Sequence, residues 1–467
     1  MSTPLTLVTR RMELERRSNI LLTEVEKWVT RTSDQLDFNT HYSQLQALYI
    51  TMKIFFDKQK NLLEKLKTTA EIEDFQIQIF TLLRIISMAQ GLWDFFRDKL
   101  ELRFNPDLRD QLAFADTVSF DCYRSTLDKA KEFKIITADQ FREPPLTYLE
   151  VVASPGTLAR GRGIPGYQDQ KLPIPIIELP WDHITNLWEY LSLPHEVVHD
   201  LEADLNLRPV LINSLNENLI TSGVPESRIS IWLKWQKEIF ADLVALLLAG
   251  PAFAYSMINT LFLPHQEVIS YNDDDSHPSH YIRIFLISAF VRTLITENEN
   301  IKQDADRLDK LWIQLYGNIE KIGSHKVDDF QNDFPIVFNA LIDTKFDILK
   351  GHSVRELIPY TVNDDAKIRN AITFLKTGQN RPSPHSLNPR HIVSASRLAL
   401  DQIAIQSDDD STTKINDLNT RTAELIKDNT KPGVRAAVSG DNEKHRKFVE
   451  SLAEALYENS LKLEYKI

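Results

Sequence analysis

Apolar side chains at Leu45, Leu48, Tyr49, Met52, Phe55, Phe56, Leu62, Leu63 and Leu66 recur at the three- and four-residue steps that line one face of an α-helix. Phe75, Ile79, Leu82, Ile86, Trp93, Phe96 and Leu100 repeat the pattern, and Leu14, Leu21, Val25 and Trp28 precede it. These stripes predict an amino-terminal bundle of about three helices ending near Pro106. Their aromatic residues, Phe55, Phe56, Trp93, Phe95 and Phe96, read first as core, with a groove for a regulatory protein partner as the alternative. Helical patterning resumes after Trp181, with amphipathic runs over residues 310–322, 336–349, 366–375, 391–405 and 447–463. Residues 406–442 are polar and carry Asp408, Asp409 and Asp410, which reads as a long loop or linker. No internal repeat of fixed period is present.

One stretch breaks the helical pattern. Pro144, Pro145, Pro155, Pro165, Pro173, Pro175 and Pro180 crowd around Gly156, Gly161, Gly163 and Gly166. Residues 147–153 (TYLEVVA) and 174–179 (IPIIEL) read as short strands, with the glycine-rich segment as the loop or flap between them. Pro175 and Pro180 place the second strand at a sheet edge, because proline cannot donate to a central ladder. Gly161, Gly163 and Gly166 match the letters of a dinucleotide-binding fingerprint. Pro165 and the residues after it do not open the helix that fingerprint needs, so a mobile loop is the better reading.

Composition sharpens this picture. The 467 residues include 13 glycines, where the usual ~7% would give about 33. The chain therefore needs few left-handed turns and is expected to be mainly α, with a small β-sheet. The divisions that follow are a helical bundle over 1–106, a central core over 107–300 and a helical region over 301–467. With 54 basic and 66 acidic residues the net charge is -12, which argues against a general nucleic-acid or anionic-membrane binder. The single cysteine, Cys122, makes no internal disulfide, and residues 1–17 mix four arginines with Glu13 and Glu15, unlike a secretory signal. The expected location is cytoplasmic. Residues 243–264 contain no charge and approach the length of a membrane span. Gly250-Pro251, Ser256, Asn259 and Thr260 interrupt them, and buried protein is the expectation.

The chemistry gathers at Pro194-His195-Glu196-Val197-Val198-His199-Asp200. On a helix, His195 and His199 leave the same face one turn apart and can grip one ion, and Glu196 can reach a water without ligating. A catalytic zinc site needs a third protein ligand. Glu238 opens a strongly apolar helix, where a carboxylate is costly unless paired or bound to a cation. Asp242, one turn on, is placed to accept the free N–H of a ligating histidine.

HEVVH followed by E-I-F-A-D resembles the gluzincin metallopeptidases. Ser276-His277-Pro278 followed by Arg283-Ile284 is similar to the S/T-H-P-x4-R-I signature of the CAAX prenyl protease and bacterial heat-shock membrane protease family. The resemblance spans about a fifth of the chain. It implies a zincin-like catalytic core with His195, His199 and Glu238 on zinc, Glu196 as base, Asp242 behind the ligands, and His277 and Arg283 as active-site support and donors to a developing oxyanion. His280 and Tyr281, from the same motif, read first as surface or packing residues. Members of that family usually carry several membrane spans, against one candidate stretch here, so membrane and prenylated substrates are not carried over.

The expected activity is zinc-dependent hydrolysis of a peptide bond in a protein substrate, with zinc acidifying a water and Glu196 taking its proton. The strand at 174–179 would pair with extended substrate under a flap at 156–166. Two other classes compete: a helical scaffold with a structural or degenerate zinc site, and a zinc hydrolase of a small amide.

Overall fold

The computed structural model describes residues 5–33, 41–69, 71–137, 143–164, 167–272, 275–405, 411–430 and 442–461. The chain is mostly helical. Helices α1 (Leu5–Ser33), α2 (Tyr42–Thr68) and α3 (Ile72–Glu101) pack along the stripes noted above. Trp28 meets Trp93 edge to face at 5.5 Å, a geometry that adds ring electrostatics to area burial. Phe55, Phe56, Trp93 and Phe96 are buried in this bundle, so the aromatic face offered as a partner groove serves as core, with Phe95 half-buried at its margin. The segment Ile72–Phe104 is long and apolar enough to cross a membrane by length and composition, and half of its apolar window is buried in the protein.

Helix α4 (Pro106–Glu132) starts where Asn105 caps the Asp107 N–H and Pro106 fills the first turn, a position that needs no donor. A three-stranded sheet follows, built from β1 (Leu146–Glu150), β2 (Gly156–Leu158) and, after the hairpin β3 (Gly163–Ile164) and β4 (Tyr167–Lys171), β5 (Ile176–Pro180). The strand order is β1-β5-β2, with β1 parallel and β2 antiparallel to β5.

This order corrects two expectations. The strand near 174–179 is central, because Pro175 precedes it and Pro180 ends it, leaving the N–H groups of Ile176, Ile177, Glu178 and Leu179 free to pair. Part of the glycine-rich segment is itself the edge strand β2, and Gly163 lies in a hairpin; Pro165 and Gly166 lie outside the described residues.

Side chains alternate across the sheet and serve two cores. Leu149, Ile177 and Leu179 join the large core around the helices that follow, while Leu146, Tyr148 and Ile176 join the core of the amino-terminal bundle. Buried Arg103 fastens this junction. Its Nη2 donates to Asp116 at 2.9 Å and to the Thr147 carbonyl at 2.6 Å, and Asp116 accepts the Thr147 N–H.

The large core is helical: α5 (Leu193–Asp204), α6 (Arg208–Thr221), α7 (Glu226–Ala249), α8 (Pro251–Thr260), α9 (His280–Leu294), α10 (Glu299–Tyr316), α11 (Val327–Phe338), α12 (Val362–Thr377), α13 (Pro389–Ile405) and α14 (Ser411–Asn429). The uncharged stretch 243–264 is divided between α7 and α8 by Gly250, and nearly all of both segments is buried. Gly250 sits at φ +69°, and a Cβ there would collide with the Tyr360 ring, so no other residue makes this break cheaply.

Helix α14 also overturns the reading of 406–442 as one long loop. Within that polar run Leu418, Thr422, Leu425 and Ile426 form a narrow stripe that is fully buried. Asp408, Asp409 and Asp410 lie outside the described residues. Helix α15 (Asn442–Leu461) returns to the amino-terminal bundle, where Tyr457 packs edge to face on Phe55.

Candidate metal centre

Helix α5 carries His195 and His199 on one face, and their rings stand edge to face at 4.9 Å. Helix α7 packs across α5 and brings Glu238 to both. His195 Nε2 lies 3.2 Å from Glu238 Oε2, and His199 Nε2 lies 3.7 Å from Glu238 Oε1. The three ligand atoms fall within 4.8 Å of one another, and all three side chains are about nine-tenths buried. This group could hold a metal ion. Neutral imidazole nitrogens and a carboxylate are the donors such an ion takes.

Asp242, one turn beyond Glu238, is fully buried and holds His195 Nδ1 at 2.9 Å through Oδ1. That contact fixes the ring so that Nε2 points at Glu238. Arg283 of α9 donates from Nε to Asp242 Oδ2 at 2.6 Å and from Nη2 to Oδ1 at 2.8 Å. Arg283 is buried, and its nearest approach to the ligands is 3.9 Å from Glu238 Oε2. Its fork is engaged on Asp242, behind the histidine, so it stands as a support and not as a donor on the reacting side.

His277 is placed differently. It is half exposed at the rim, with Nε2 3.6 Å from Glu238 Oε2 and Nδ1 3.2 Å from Asp275 Oδ1. Asp275 also accepts the His277 backbone N–H at 2.9 Å, which ties the loop to the ring. Tyr281 points away from the site, donating to the Gly317 carbonyl at 2.8 Å, a packing role. His280 is the first residue of α9, with Nδ1 buried and without a hydrogen-bond partner among the described residues.

The electrostatics favour a cation at this point. Burial works against charge on His195, yet its hydrogen bonds to Asp242 and Glu238 outweigh burial and push it up to about 10. Burial likewise works to raise Glu238, but the His195 hydrogen bond with the His195 and Arg283 charges outweighs it and holds the carboxyl far below its usual range. Burial and the neighbouring His195 charge push His199 well below its ordinary value, keeping it a neutral donor. The site thus retains positive charge against desolvation where Nε2 of His195 meets Glu238.

Glu196 follows His195 on α5 but does not join the three-residue group. Burial raises its carboxyl, opposed by the His195 charge and a hydrogen bond from Thr157. Thr157 lies on the edge strand β2, 39 residues away in sequence, and its Oγ1 stands 2.7 Å from Glu196 Oε2.

Sequence reasoning passed over Thr157 and Asp275, because a hydroxyl in a glycine-rich run and an aspartate in a polar loop carry no spacing signal. Only the alternation of β2, with Gly156 on the opposite face from Thr157, could have pointed to it. No protein-family model, no curated protein and no solved structure matches the chain.

Proposed function

We propose that this protein is a zinc-dependent metallopeptidase of the gluzincin type that cleaves peptide bonds in a protein substrate. The observation that carries the reading is the convergence of His195, His199 and Glu238 from two helices on one buried point, with Glu196 beside them and outside the ligand set. Zinc would suit the donors, two imidazole nitrogens and a carboxylate, whose ligand atoms lie within 4.8 Å of one another. A purely structural ion gives no reason to bury Glu196 beside its ligands without using it.

Zinc, when bound, acidifies a water and polarises a substrate carbonyl. The protein's own groups do the rest. Glu196 takes the proton from the attacking water and returns it to the leaving amine, so that the proton ends on the new amino terminus. Asp242 and Arg283 keep His195 aimed. His277, at the rim with its ring held by Asp275, is placed to donate to a developing oxyanion. The outer edge of β2, beside α5, gives an extended peptide a backbone to pair with, replacing the strand at 174–179 in that role.

The test is metal analysis of wild type and Glu196→Gln, with both incubated against a proteome and scored for new peptide termini. Zinc in both and new termini only with wild type is the expected result. A wild type that binds no zinc, or cleavage unchanged in Glu196→Gln, overturns the reading.

A further inference from the structure

The glycine-rich segment sends one side chain into the site, and what it does deepens the peptidase reading, on which it rests. Thr157 Oγ1 lies 2.7 Å from Glu196 Oε2 and 2.9 Å from the Glu196 backbone carbonyl. Its strand is short and its neighbour faces the other way: a Cβ at Gly156 would stand 2.7 Å from Glu178 Oε1, on the side of the amino-terminal bundle. Within β2 it is Thr157 that bonds to α5 at Glu196, while Arg160, two residues past the strand, pairs with Asp204 at the far end of the same helix.

We propose that Thr157 is the positioning residue for Glu196, fixing one carboxylate oxygen so that the other exchanges the proton, and tying the base to the strand on which the peptide docks. A hydroxyl carries one proton, and the shorter contact and the charge of a carboxylate both direct it to Oε2. Oε2 is then an acceptor whether Glu196 is a carboxylate or a carboxylic acid. Oε1 is left to take the proton from water and to hand it to the leaving amine. A buried carboxylate without such a partner rotates about its last torsion, which is broad, and presents the wrong oxygen for part of the time. Because the hydroxyl belongs to β2, a peptide that shifts β2 when it pairs also moves the base. The carboxylate is aligned by the element that binds substrate.

The test compares Thr157→Val, which keeps shape and loses the hydroxyl, with Thr157→Ser, which keeps the hydroxyl. Zinc content is expected to equal wild type in both. With a peptide cleaved by wild type, Thr157→Val should lower kcat about 10- to 100-fold, the range for a hydrogen bond to a charged group, with KM within about twofold, and Thr157→Ser should recover most of kcat. A readout independent of turnover is the affinity of the cobalt-loaded protein for acetohydroxamate, which gives up its hydroxyl proton to a neighbouring base. It should weaken about tenfold in Thr157→Val and not in Thr157→Ser. A Thr157→Val variant with wild-type kcat and hydroxamate affinity overturns the inference and leaves the peptidase standing. If wild type binds metal but cleaves nothing, the peptidase reading fails and the hydroxamate comparison alone decides Thr157. A wild type that binds no metal removes both.

Discussion

Asp242 shows how much of the site depends on residues outside the metal-holding group. It takes two hydrogen bonds from Arg283 and one contact from His195, all in a fully buried position. Burial works to raise its carboxyl, and the Arg283 charge and hydrogen bond outweigh that and hold it low, so the pair stays ionised. Asp242→Asn is expected to weaken zinc binding by about 10- to 100-fold, the usual effect of losing a partner behind a ligating histidine, measured by competition with a chromophoric chelator. Asp242→Ala should do more, leaving Arg283 charged and buried without its partner at about 3–5 kcal/mol, read from denaturant unfolding. Zinc affinity should also fall on acidification, because protons compete for the His195 imidazole, which its partners push up to about 10. An affinity unchanged between neutral and mildly acidic solution would remove His195 from the ligand set.

Elements place these residues, and two of them answer to particular side chains. Helix α14 is held by Leu418, Leu425 and Ile426, each fully buried in a run otherwise polar. Leu418→Ala is expected to destabilise by about 2–5 kcal/mol, as for any buried leucine that leaves a cavity; a loss within about 0.5 kcal/mol would mean that the helix does not join the core. Helix α13 carries His391, buried and pushed well below its ordinary value, first by burial and then by the Arg390 charge. A histidine that resists protonation only when folded lowers stability where the unfolded chain takes up the proton, below about pH 6.5, and the loss grows as pH falls toward the folded value. His391→Gln should therefore flatten the decline of melting temperature between roughly pH 6.5 and 5, and a decline as steep as wild type would refute this account.

At the scale of the whole molecule, the sheet is the seam between two cores. Alternate residues of β1 and β5 face the amino-terminal bundle or the helices of the metal centre, and edge strand β2 borders both. Zinc binding should accordingly stabilise the folded protein: at a free concentration about 100 times Kd the linkage contributes about 2.7 kcal/mol. Chelator is expected to lower the melting temperature of zinc-loaded wild type and to leave that of His195→Ala unmoved. Helices α1, α2 and α3, the pair His195 and His199, and the carboxylates Glu238 and Asp242 that the structure brings to them were all legible in the sequence, because each rests on a short period or on a charge set in an apolar run. Helix α14 was not, since four buried positions among polar residues give too weak a stripe. The central place of β5 was missed as well, because prolines that bracket a strand look the same in sequence as prolines that confine it to an edge. What the chain determines by itself is local: spacing sets which side chains share a helical face. Bringing Glu238 to His195, Arg283 to Asp242 and Thr157 to Glu196 crosses 39 to 43 residues each time, and contacts of that range are decided only when both cores close on the sheet, because no local period records which distant face a helix or strand will meet.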